Sequence, residues 1–161
     1  MIINTRPKNL SGNLISLCEA QEIALKNIYL SKINSIDPSK IAIDKIKNIH
    51  SYSNLIFTSQ AAASFGLDIL KSFFDLDDLP HNFLSVGPAT SNKLLESGIK
   101  SHFPQSHSSE GILKLIENNF LGKSLLFCGE NSNGFLQQKL KASLDEIVCY
   151  EVIYLLEQIP K

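Results

Sequence analysis

The sequence predicts an α/β protein whose parallel sheets are flanked by helices. Three observations point there. Short apolar runs alternate with segments of helical period almost from end to end. Three of the runs break into small hydroxyl, amide or glycine residues, as strands do when they hand over to a helix. With 161 residues, 43% hydrophobic and 19% charged, the chain is long enough to bury a core in one or two small domains.

Taken in order, Ile2–Thr5 reads as a short strand, and Leu10, Leu14, Leu17 and Cys18 mark one face of a helix. A second strand is expected within Ala24–Ile33. Asp37–Pro38–Ser39 is a break that can start a helix with Ala42, Ile46 and Ile49 on one side. Leu55–Thr58 is a strand, followed by a helix with an expected buried face of Ala62, Phe65, Ile69 and Phe73. The acidic stretch Asp75–Pro80 lacks the glycine and the spaced carboxylates of a calcium loop and reads as solvated. Phe83–Val86 is a strand, Ala89–Ser97 a helix closed by Gly98, and Ile99–Phe103 a strand. Ser108 or Ser109 caps a helix carrying Ile112, Leu115 and Ile116. Ser124–Cys128 is a strand, Leu136, Leu140 and Leu144 mark a helix, and Ile147–Leu155 is the closing strand.

Charge and motifs narrow the function. Fifteen basic and 16 acidic side chains give a net charge of -1, which offers no global attraction to nucleic acid or to an acidic membrane surface. Only Arg6 is an arginine, so no site here can be built from several guanidinium forks. MIINTRPK is no signal peptide, and no apolar run approaches the ~20 residues needed to span a bilayer. Cys18, Cys128 and Cys149 are too scattered for a metal or redox motif, and three thiols suit a reducing cytoplasm. The four histidines show no metal-binding spacing, so no metal is expected.

In open α/β sheets, ligands bind at the carboxyl ends of strands, where helix N-termini present free N–H groups. FTSQAA (Phe57–Ala62), SVGPATS (Ser85–Ser91) and FCGENSNG (Phe127–Gly134) are three such turns. Each alone has an ordinary structural account: Ser59 as a helix cap, Pro88 in a first helical turn, Gly129 as a turn glycine. Together they make a rim of neutral donors suited to a polyanion. None matches GxGxxG or GxxxxGK[ST], and no phosphate loop or acidic pocket supports a flavodoxin-like or receiver reading. Cys128 lacks an evident histidine partner as a nucleophile. Tyr150 lies in a strand, where tyrosine is usually a core-edge residue. Strict alternation sets it opposite Cys149, from where its hydroxyl could reach a cleft and give a proton; Tyr154 is the competing candidate.

These turns, in this order, resemble the uroporphyrinogen-III synthase family. The resemblance is carried by TRP at Thr5–Pro7, LIFTS at Leu55–Ser59, VGPATS at Val86–Ser91, SSEGIL at Ser108–Leu113, FCGE at Phe127–Glu130 and VCYEV at Val148–Val152. It implies two α/β domains, one formed from both ends of the chain and the other inserted. Here residues 36–152 would be the inserted domain, looking whole, and 1–35 with 153–161 an incomplete terminal domain that should leave apolar surface exposed.

The resemblance further implies a cytoplasmic lyase, monomeric at full length, that needs no cofactor. It would cyclise hydroxymethylbilane, a polycarboxylate linear tetrapyrrole, with inversion of ring D through a spirocyclic intermediate and loss of water. Tyr150 matches the proton donor to the leaving hydroxyl. Thr58, Ser59 and Thr90, with Gly87 and Gly129, match the residues around the substrate. Two positions depart from the family pattern: Ala61 where asparagine is common, and Asn133 where arginine is common. The alternative is a non-catalytic module, or a truncated remnant, that binds a tetrapyrrole or another anion.

Overall fold

A computed structural model describes residues 1–155 and divides the chain into two units, Met1–Asn34 with Glu151–Lys161, and Ser35–Tyr150. In the first unit, β1 (Ile2–Asn4) pairs in parallel with β2 (Leu25–Asn27), and α1 (Gly12–Ala20) lies between them in sequence. Asn4 is buried and pins the turn that follows β1. Its amide donates to Ser11 Oγ (2.9 Å) and Asn27 Oδ1 (2.7 Å), and its Oδ1 accepts the N–H of Arg6 (3.1 Å). A buried amide satisfied on every side costs little and fixes the backbone. Of the expected α1 face only Cys18 is buried; Leu17 is 60% exposed, as are Ile3 and Ile23 in part.

The strand expected within Ala24–Ile33 is two strands, β2 and β3 (Ser31–Ser35). Beyond the β1–β2 ladder the Ile28 N–H still donates to the Asn4 carbonyl (2.8 Å) and the Leu30 N–H to the Thr5 carbonyl (3.4 Å).

The second unit contains α2 (Lys40–Lys47), β4 (Asn54–Phe57), α3 (Gln60–Lys71), β5 (Asn82–Ser85), α4 (Pro88–Leu95), α5 (Ser109–Asn119), β6 (Ser124–Gly129), α6 (Phe135–Leu140) and most of β7 (Leu144–Tyr154). The strand order within this unit is β7-β6-β4-β5, and the four are mutually parallel. Strands covered on both faces read as unbroken apolar runs, and every residue of β4 and β6 is buried.

One face packs Leu55, Phe57, Leu125 and Phe127 against Ala62, Ala63, Leu67 and Leu70 of α3 and Ile46 of α2. The other packs Ile56, Leu84 and Leu126 against Ile112 and Ile116 of α5 and Leu136 of α6. Phe57 and Phe127 stack at 4.8 Å between centroids. Gly66 of α3 lies directly over that pair: a Cβ there would stand 2.8 Å from Phe127 and 3.0 Å from Phe57. Against that pair α3 offers the small residues Ala62, Ala63 and Gly66, with Leu67 and Leu70 also buried. Of the expected face Ala62 is buried, Phe65 and Ile69 pack at the margin, and Phe73 lies beyond the helix, 38% exposed.

Two other expectations are corrected. Ile99–Phe103 forms only a single bridge, Leu84 to His102, because Pro104 ends the run. Leu144 is not helical: the chain breaks at Lys141, with φ of 46°, and Leu144 opens β7. Ser108 is the cap of α5, accepting the N–H of Gly111.

Candidate functional site

Parallel register brings the three hydroxyl- and glycine-bearing turns into one row. Phe57 pairs with both Ser85 and Phe127, so Thr58–Ser59, Val86–Gly87 and Cys128–Gly129 lie at the same level, where β4 and β5 end and β6 continues for two more residues. Ser59 caps α3, its Oγ accepting the N–H of Ala62 at 3.0 Å. Thr58 Oγ1 donates to the Phe127 carbonyl (3.3 Å), strapping β4 to β6.

β7 reaches this row through a bulge. Cys128 pairs with Val148, but Gly129 pairs with Tyr150, leaving Cys149 as the extra residue. The alternation that sets Tyr150 opposite Cys149 therefore fails. Ile147, Cys149 and Tyr150 all pack on the α3 side of the sheet, while Val148 packs on the other. The bulge turns the Tyr150 ring across Gly129, towards β4. A Cβ on residue 129 would stand 2.6 Å from Cζ of that ring and 2.9 Å from its hydroxyl. Beyond the glycine, Tyr150 Oη lies 3.1 Å from Ser59 Oγ, and Phe65 of α3 flanks the ring at 6.3 Å.

Thr58, Ser59, Gly129 and Tyr150 thus form one cluster. Gly87 and Thr90 stand at the end of the neighbouring strand, at the start of α4. Thr90 is 4% exposed, and a Cβ on Gly87 would meet His107 at 3.3 Å. Both turn glycines are accordingly roofed by a ring from elsewhere in the chain. His107 was legible only as a loop histidine, since nothing in its neighbours' identity announces the contact. Tyr154 is 69% exposed and belongs to the other unit.

The remaining chemistry of this unit lies outside the cluster. Burial raises the Cys128 thiol to about 11 and the Cys149 thiol to about 12, so both are protonated near neutrality. Tyr52, Lys123 and Lys45 gather on Asp145 (2.9, 2.7 and 3.6 Å) near the amino end of β7. The Lys123 contact is the main cause that holds the Asp145 carboxyl below its usual range. A groove of about 480 Å³ beside α3 is bordered by Phe65, Ile69 and Cys149, with Asp37 and Asp68 on its rim. Those carboxylates disfavour a polyanion in that groove. Among the described residues no helix is long and apolar enough to cross a membrane. Ala61 is buried, and Asn133 accepts the N–H of Phe135 through its own side chain (3.2 Å).

A parallel sheet with hydroxyls, first-turn N–H groups and one phenol gathered at its carboxyl edge defines an open α/β protein, the class in which ligands generally bind at strand ends. Residues 27–161 match the family model for Uroporphyrinogen-III synthase HemD, and the chain belongs to that family.

Solved structures share the fold. A mutant uroporphyrinogen III synthase from the extremely thermophilic bacterium Thermus thermophilus is 14% identical with a TM-score of 0.67, covering 97% of this chain and 64% of that one. The wild-type protein from the same bacterium is 15% identical with a TM-score of 0.59, at 97% and 63% coverage. The uroporphyrinogen-III synthetase of Helicobacter pylori is 22% identical with a TM-score of 0.57, at 81% and 56% coverage. The chain spans less than two thirds of each of these relatives. No curated protein matches it.

Proposed function

We propose that this protein cyclises hydroxymethylbilane to uroporphyrinogen III, acting in the cytoplasm as a monomer without a cofactor, and with neither nucleic acid nor membrane as partner. The observation that carries the reading is the Tyr150 hydroxyl, held beside Ser59 at the carboxyl edge of a sheet in a member of this family. In this reading Tyr150 Oη gives its proton to the hydroxymethyl oxygen. The carbon–oxygen bond breaks with its electron pair on oxygen, water leaves, and the pyrrole ring takes up the electron deficiency. Ring D bonds through its substituted α-carbon to the electron-deficient methylene carbon, giving the spirocyclic intermediate. The bond from that α-carbon to the neighbouring ring's methylene then breaks and re-forms at the free α-carbon, closing the macrocycle with ring D inverted. The proton lost from that carbon restores the phenol. Thr58, Ser59 and Thr90 line the place of the substrate, and the N–H groups at the starts of α3 and α4, with the backbone at Gly87 and Gly129, supply neutral donors for its carboxylates.

The test is to generate hydroxymethylbilane in situ with the folded protein and to resolve the product isomers. Uroporphyrinogen III in excess is expected. Only the spontaneously formed I isomer overturns the reading. Calorimetry with a linear tetrapyrrole then separates the alternative, for which binding without conversion is the mark.

A further inference from the structure

We propose that Ser59 is a positioning residue for Tyr150, donating its hydroxyl proton to the phenolic oxygen so that the phenol's own proton points away from the protein and towards the ligand. This rests on the reading of Tyr150 as a proton donor.

The inference follows from counting donors and acceptors. A serine hydroxyl has one proton and two lone pairs. One lone pair of Ser59 Oγ is occupied by the N–H of Ala62 at 3.0 Å, which fixes the oxygen at the start of α3. The proton and the second lone pair are left, and Tyr150 Oη lies 3.1 Å away, so either hydroxyl can donate to the other. Were Tyr150 the donor in this pair, its proton would be spent on Ser59 and turned away from any substrate. With Ser59 as donor, the phenolic proton is free, and once it is transferred the same Ser59 O–H meets the phenolate that remains. No atom of residue 129 intrudes, and Phe65 limits the ring's swing on the α3 side. Ser59 therefore does two separable things: it caps a helix, and it orients a phenol.

Three substitutions separate them. Ser59→Thr keeps the cap and the proton. Ser59→Asp keeps the cap, since a carboxylate accepts a helix N–H at least as well, but has no proton to give. Ser59→Ala loses both. Conversion of hydroxymethylbilane is expected to fall about tenfold or more in kcat for Ser59→Asp with the melting temperature maintained, and to be largely restored in Ser59→Thr. In a Tyr150→Phe background, Ser59→Asp should cost nothing further in kcat, the repulsion between the added carboxylate and the substrate carboxylates appearing in KM instead. An unchanged kcat in Ser59→Asp, or the same loss in the Phe background, overturns the proposal.

A second readout does not need turnover. With 3-fluorotyrosine in place of all four tyrosines, the resonance that vanishes in Tyr150→Phe is assigned to residue 150. It should move in Ser59→Asp and stay near its place in Ser59→Thr; a resonance indifferent to both overturns the link. Absence of uroporphyrinogen III from the wild-type protein, with the resonance responding as expected, would remove the proposed reaction and leave the hydroxyl pair standing.

Discussion

The Tyr150 ring crosses directly over Gly129, so that its hydroxyl reaches Ser59 at the start of α3 beyond. The first prediction concerns the gap. Gly129→Ala places a methyl group 2.6–2.9 Å from the ring, and the ring must swing off Ser59. Conversion should fall more than tenfold, with a stability loss of about 1–3 kcal/mol for the overpacked contact. Kinetics and chemical denaturation of the one variant check both. An alanine variant with full activity would mean that the ring does not need its position over residue 129.

Tyr150→Phe removes the proton while the ring stays packed against Phe65. General-acid catalysis typically contributes on the order of 10²–10⁴-fold, so kcat should drop within that range while KM changes little. A variant with unchanged kcat would exclude a necessary proton transfer from this hydroxyl.

Gly66→Ala tests the packing beneath the site. The added methyl would stand 2.8 Å from Phe127 and 3.0 Å from Phe57, both in the fully buried stack. Destabilisation of about 1–3 kcal/mol is expected in urea unfolding, because neither ring can move without disturbing the sheet. A neutral result would mean that α3 lifts off the sheet at little cost.

A pH dependence follows from His81. Its Nε2 meets the Ile49 carbonyl at 3.1 Å, its Nδ1 is buried without a hydrogen-bond partner, and His50 stacks on it at 6.0 Å. Burial is the main cause that lowers its pKa below the ordinary histidine value. The folded state then binds fewer protons than the unfolded one, so stability should decline as pH falls below about 6.5 and level off once the folded form also takes up the proton. Urea midpoints measured through that range should show a shallower decline in His81→Gln than in the parent. Equal slopes would assign the decline to other groups.

The thiols give the simplest check. Cys128 and Cys149 are fully buried and held protonated near neutrality, at about 11 and about 12. Neither should react with iodoacetamide in the native protein at neutral pH, and both should react once it is unfolded. Native labelling of Cys128 at the rate of a free thiol would show that β6 opens.

Much of this was legible in the chain. The strands of the second unit announce themselves as unbroken apolar runs because both faces are covered, and the turns announce themselves because hydroxyls and glycines follow those runs directly. What escaped had specific causes. A period of two cannot show an extra residue, so the bulge at Cys149 and the true direction of Tyr150 were invisible. The apolar pattern after β4 pointed to a face of Ala62, Phe65, Ile69 and Phe73. Ala62 is buried there, but under the Phe57–Phe127 stack its companions are Ala63 and Gly66, with Leu67 and Leu70 beside them, and Phe65 and Ile69 are only partly buried. Asn4 and His107 escaped because their partners are distant in sequence: Asn27 lies 23 positions from Asn4, and Gly87 meets His107 only through the path of the intervening chain.

Ser59 and Tyr150 are 91 positions apart, and the strands that carry them are separated in the sheet by β6. Neither local helix formation nor the pairing of β4 with β5 can bring the two hydroxyls together. The pair closes only after β6 has docked and β7 has paired beside it, which are contacts of high sequence separation and so kinetically demanding. During synthesis, a ribosome that has just released β6 would carry a chain with its central strands formed and its phenol still absent. The hydroxyl pair is therefore a marker of finished assembly for this unit: a refolding experiment that watches residue 150 watches the last parallel strand arrive.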